Sequence, residues 1–211
     1  MKLYWGPHTC AIGIHLLLEE AGVPYEAVKL DVQRGENETP AFLDINPKGK
    51  VPTLVRDDGR VLTEFGAIAT WIALTHADQG LLPTAADERI RVAEVLDYVV
   101  GTVHGQGFAR VFKPERFEPQ DVLHATLGLG SSSVQAQGRE MVEKAFAILD
   151  RDMQGRDYVA GSFGIADAAL FYVERWAPTS EIELPSNLAA HLTRMRQRPA
   201  VKRAMEAEGE A

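Results

Sequence analysis

A single cysteine, Cys10, stands in 211 residues. The chain therefore offers no partner for an intrachain disulfide and no ligand set for a multi-cysteine zinc site. Cations are in deficit: 22 Lys and Arg face 30 Asp and Glu, a net charge of −8. That sign excludes the clustered basic footprint of a nucleic-acid binder and disfavours an anionic membrane surface. No stretch approaches the ~18 consecutive apolar residues of a membrane span. The opening MKLYWGPHTC lacks the apolar run of a secretory leader, so a reducing, cytoplasmic setting is expected. His8, His15, His76, His124 and His191 show no metal-ligand spacing, and no metal is expected. Repeats and low-complexity tracts are missing too.

What is present is an ordinary globular balance, with 45% hydrophobic and 25% charged residues. The first third reads as mixed α and β. Lys2 to Trp5 is a short strand stopped by Gly6-Pro7, and Cys10 to Ala21 has helical spacing ended by Gly22. Tyr25 to Val32 alternates as a second strand. Thr39 to Ile45 holds a short helix, Val51 to Val55 and Val61-Leu62 form a hairpin, and Phe65 to Thr75 is a helix. Beyond His76 the alternation gives way to helical periods such as Val134, Gly138, Met141, Val142, Ala145 and Leu149. Ile165 to Trp176 is apolar nearly all round, the mark of a central helix. The expected fold is an α/β domain over 1–76, a linker over 77–84 and an all-helical domain over 85–211. Gly128 to Ser133 reads as a loop tip, and Glu206 to Glu210 as a solvated, frayed end.

Three features carry chemistry. Cys10 opens a helix after a strand and a Gly-Pro turn, where free N–H groups and the macrodipole favour a thiolate. A small buried hydrophobe fits the same position. A C-x-x-C pair is lacking, because Cys10-Ala11-Ile12-Gly13 ends in glycine, so an enzyme closing its own disulfide is excluded. The second feature is Pro52 at a strand mouth; a cis Val51-Pro52 bond turns the backbone of Val51 outward to pair with an extended peptide, whereas an edge-strand proline needs no such role. The third is Glu64 at a helix start, placed either to hold a ligand's ammonium or to suit the helix dipole.

Together these residues resemble the glutathione S-transferases, and the bacterial beta class among them. The resemblance runs through Met1-Lys2-Leu3-Tyr4, Cys10, Leu16 to Gly22, Asn46-Pro47-Lys48-Gly49-Lys50-Val51-Pro52, Leu62-Thr63-Glu64 and Gly161 to Ala168. Gln197-Arg198-Pro199-Ala200-Val201 matches the family's penultimate helix. The resemblance implies a thioredoxin-like first domain that binds glutathione as co-substrate, with no prosthetic group. It further implies a homodimer whose helical domain meets a small apolar electrophile. Val51 and Pro52 would pair with the tripeptide's cysteinyl backbone, while Glu64 and the N–H of Phe65 hold its γ-glutamyl end. Asp97 would reach across from the other subunit. Cys10 or the hydroxyl of Thr9 would activate the sulfur. His104 would act as proton donor or substrate contact, beside Phe108 and Phe112.

Two departures bear on function. Phe65 stands where the family usually has a small residue, and Ala11 where a serine often follows the cysteine. A third, Gly164 in place of a Ser or Thr cap, is expected to cost only tenths of a kcal/mol. Two other activities remain open from the sequence: glutathione-dependent disulfide reduction through Cys10, and non-catalytic ligand binding, which Phe65 favours.

Overall fold

A computed structural model describes residues 1–118 and 131–209. Four strands form one mixed sheet in the order β2-β1-β3-β4. They are β1 (Lys2–Trp5), β2 (Glu26–Lys29), β3 (Thr53–Val55) and β4 (Val61–Thr63). β2 runs parallel to β1, and β3 pairs antiparallel with both β1 and β4. The parallel step from β1 to β2 needs a crossover, and α1 (Ala11–Ala21) supplies it. α2 (Pro40–Leu43) and α3 (Phe65–Thr75) complete this half. The helix expected over Phe65 to Thr75 is the one observed.

Every described element beyond the linker is helical. α4 (Ala86–Asp97) passes into a π-helical stretch over Tyr98–Phe108, then into α5 (Ala109–Phe112). α6 (Ser131–Asp152), α7 (Ile165–Thr179), α8 (Ser186–Gln197) and α9 (Pro199–Glu208) follow. α7 is the central helix that its apolar circumference predicted: of Ile165 to Ala177, all but Arg175 are buried. α1 packs on α7, α3 and α9, so one continuous apolar core joins the sheet half to the helical half.

Several expectations need correction. The second strand stops at Lys29, because Asp31 accepts the backbone N–H of Arg34 and turns the chain into a 3-10 helix from Val32. As an edge strand, β2 buries no residue fully. β3 begins at Thr53, beyond Pro52, which cannot donate to a ladder. Ser131 to Ser133 open α6 instead of lying in a loop, and Gly128 to Gly130 lie outside the described residues. The Gln197 to Val201 stretch spans the break between α8 and α9. Glu208 is not solvated: it is buried at the end of α9, while Glu210 lies outside the described residues. Gly164 is more than a weak cap, since a β-carbon there would come within 2.7 Å of the Leu81 carbonyl oxygen. The linker presses on the start of α7 and leaves no room for Ser or Thr.

Candidate active site

Cys10 sits where the Gly-Pro turn meets α1. The Thr9 hydroxyl accepts the N–H of Ala11 at 3.3 Å and donates to the Gly6 carbonyl at 2.7 Å. Its one proton is thereby committed to the backbone, so Thr9 shapes the helix start and has none left for a neighbouring sulfur. Cys10 is 7% exposed, and its Sγ lies 3.8 Å from the carbonyl oxygen of Val51. Burial pushes this thiol up to about 12, against the smaller opposing pull of its own backbone N–H. The helix start thus fails to make Cys10 a thiolate as anticipated, because desolvation outweighs the dipole.

The wall facing Cys10 is the 46–53 loop. Asn46 Nδ2 donates to the Lys50 carbonyl and to Thr53 Oγ1, both at 2.9 Å, and Asn37 Nδ2 donates to the Gly49 carbonyl at 2.8 Å. These two buried amides hold the loop, and the sequence reading missed both. The Val51-Pro52 bond is cis.

Glu64 precedes α3 with φ at +69°, a conformation that L-residues adopt at a cost. The first bond of the helix runs from the Ile68 N–H to the Glu64 carbonyl. Helix geometry therefore leaves the N–H groups of Phe65, Gly66 and Ala67 without an intrahelical acceptor, beside the Glu64 carboxylate. Lys48 Nζ lies 2.6 Å from that carboxylate, a pairing the sequence did not reveal. The Phe65 side chain turns inward: it is 3% exposed and packs edge-on against Tyr172 of α7, ring centres 5.1 Å apart. Phe65 is a core residue and does not plug the cleft.

His104 lies on the π-helical stretch, a distortion common at functional sites. Its Nδ1 is 3.3 Å from the Tyr172 hydroxyl, and its ring meets Trp176 edge-on at 4.9 Å. Burial, with help from the Lys50 charge, lowers His104 to about 4. It is therefore neutral near physiological pH, so any donor role expected of it falls to a neutral N–H. Trp176 meets the rings of both His104 and Tyr172, at 4.9 and 5.0 Å between centres. Phe108 is buried and stacks on Phe112, ring centres 5.4 Å apart; Phe112 is 43% exposed, and both meet Trp176 edge-on. The Trp176 indole donates to the His8 carbonyl at 3.0 Å, two residues before Cys10.

Asp97, the last residue of α4, is exposed. It shares with Glu64 the lining of a groove of about 700 Å³ between α3 and α4, walled by Gly66, Trp71, Leu74 and Ala93. Among the described residues, no three His, Cys, Asp or Glu gather as a metal site, and no helix is long and apolar enough to cross a membrane.

Known proteins resemble this chain over its whole length. Residues 9–75 match the family model described as the N-terminal domain of glutathione S-transferase. Glutathione S-transferase GstA of Escherichia coli O157:H7 is 33% identical over 217 residues, covering 99% of both proteins. A sphingomonad glutathione S-transferase solved in complex with glutathione superposes with a TM-score of 0.83 at 34% identity, over 100% of each chain. The beta-class glutathione S-transferase of Sphingomonas chungbukensis superposes at 0.84 with 31% identity, again over 100% of each. Fold and full-length similarity agree, and the chain belongs to the glutathione S-transferase family.

Proposed function

We propose that this chain is a glutathione transferase that joins the thiolate of glutathione to small apolar electrophiles, acting as a homodimer in the cytoplasm and serving detoxification. The observation that carries this reading is the juxtaposition of Cys10 and the Val51 carbonyl at 3.8 Å, with the open start of α3 at Glu64 on the same half. An extended tripeptide fits that frame. Its cysteinyl backbone pairs with Val51, its γ-glutamyl carboxylate meets the N–H groups at Phe65 and Gly66, and its ammonium joins Glu64. Asp97 of the partner subunit adds a second acceptor for that ammonium, since aspartate only accepts. The apolar groove shared by Glu64 and Asp97 supports pairing of two copies there, and Leu74 on its wall is 56% exposed.

With its thiol held near 12, Cys10 is not a nucleophile; its S–H donates to the Val51 carbonyl and turns to the glutathione sulfur once the tripeptide's own backbone N–H takes that carbonyl. This favours transfer over disulfide reduction. Each unit by which the glutathione thiol pKa falls reflects about 1.4 kcal/mol of preferential anion stabilisation. The sulfur then attacks the electrophilic carbon, a thioether bond forms, the leaving group departs with the bonding pair, and the thiol proton goes to solvent. Phe112 and the edge of Trp176 supply the apolar wall for the electrophile, while Phe108, fully buried and not at the pocket surface as expected, stacks behind Phe112. Retention on immobilised glutathione and conjugation of an aryl halide are the expected results. Failure of both at millimolar glutathione overturns this function.

A further inference from the structure

Tyr172 is 0% exposed, and its hydroxyl has one hydrogen-bond partner among the described residues, His104 Nδ1 at 3.3 Å. The two residues lie 68 positions apart, on α7 and on the π-helical stretch. A sealed phenol that keeps its proton needs an acceptor for it, and an unsatisfied buried donor costs about 1–3 kcal/mol. Burial holds Tyr172 well above its ordinary value, so the proton stays on the oxygen. His104 is neutral, so one of its nitrogens accepts and the other carries hydrogen. If Nδ1 carried it, two hydrogens would confront each other and the phenol would lose its acceptor.

We propose that Tyr172 is a positioning residue: it donates to His104 Nδ1, fixes the imidazole proton on Nε2, and so aims an N–H donor at the sulfur of bound glutathione. Nε2 has no protein partner among the described residues and is not among the sealed polar atoms. The His104 ring meets Trp176, whose indole donates to the His8 carbonyl two residues before Cys10, and Tyr172 packs on Phe65 directly after Glu64, so the pair borders the thiol cleft. Edge-on contacts with Tyr172 and Trp176, at 5.6 and 4.9 Å between ring centres, restrain the imidazole. No bond is made or broken in this role. A neutral N–H stabilises the thiolate after its proton has left for solvent. The proposal rests on the transferase reading given above.

The test uses Tyr172→Phe, which removes one oxygen and keeps the ring that packs on Phe65 and Trp176. Titrating the ultraviolet absorbance of enzyme-bound thiolate should show its pKa raised by about one unit, a tenfold loss of thiolate at a given pH. Near neutral pH, kcat should fall about tenfold and recover as pH rises, with KM for glutathione unchanged. In a His104→Ala background the same change should have no further effect. Imidazole 15N shifts of the unaltered protein should report hydrogen on Nε2, a readout that survives if the variant misfolds. Hydrogen on Nδ1, an unshifted thiolate pKa, or an equal loss in both backgrounds overturns the proposal. If the unaltered protein binds no glutathione while its 15N shifts place the hydrogen on Nε2, it is the transferase reading that fails.

Discussion

The ring of Phe65 lies over Gly13: a β-carbon at 13 would stand 2.6 Å from the phenyl Cε2 and 2.8 Å from the Ala168 carbonyl oxygen. The two residues explain each other. A large ring after Glu64 is accommodated because the first turn of α1 has no side chain there. Phe65 then bridges α1 to Tyr172 on α7, and the departure that seemed to threaten ligand binding ties the two halves together.

Gly13→Ala should therefore destabilise the fold by about 1–3 kcal/mol. For a chain of this size each kcal/mol lowers the melting temperature by roughly 2–4 °C, which calorimetry resolves. Adding Phe65→Leu should recover part of the loss, while the Ala168 carbonyl keeps the remainder. An unchanged melting temperature in Gly13→Ala contradicts this packing.

Glu64→Gly should move stability and affinity in opposite directions. Glycine adopts the positive φ freely, relieving roughly 1 kcal/mol of backbone strain. The Lys48 pair lost with it is solvent-exposed and contributes little. Removing the carboxylate takes away an acceptor for the glutathione ammonium, so affinity should fall about tenfold or more. Denaturant melts and glutathione calorimetry on one preparation check both arms.

Alkylation of Cys10 by iodoacetamide should be slow in the absence of glutathione. A thiol near 12 holds far less thiolate at neutral pH than a free cysteine at ~8.5. The rate should climb about tenfold per pH unit through the alkaline range, followed by mass spectrometry. A plateau near about pH 8 would refute the desolvated thiol.

His191 bridges two buried carboxylates, Nδ1 to Glu174 at 2.9 Å and Nε2 to Asp167 Oδ1 at 3.2 Å. Burial alone would lower the imidazole, but the charges of Glu174 and Asp167 win and raise it from 6.5 to about 9. A group raised on folding adds stability below its unfolded value and loses that contribution as pH climbs through the folded one. The melting temperature should therefore drop between about pH 6.5 and 9, and His191→Gln should start lower and flatten that decline. A drop of equal size in the variant would remove His191 as its cause.

Much of the fold was legible because its signals are local. The Gly-Pro stop, the helix from Phe65 to Thr75 and the apolar circumference of α7 each follow from neighbours a few residues apart. Cys10, Val51, Pro52 and Glu64 were readable as positions for the same reason. Their states were not. The protonation of Cys10 depends on burial, and the Lys48–Glu64, His104–Tyr172 and His8–Trp176 contacts span 16, 68 and 168 residues. Periodicity carries no record of such pairings. Gly164 was misjudged on similar grounds, since the atom that forbids a side chain belongs to Leu81.

The indole of Trp176 has a bearing on how the two halves move. It holds the carbonyl of His8, two residues ahead of Cys10, and thereby couples the helical half to the turn. Swinging the halves apart would drag residues 8 to 10 along and spoil the alignment. The two halves are thus coupled at residues 8 to 10, and whatever shifts α7 shifts the thiol with it.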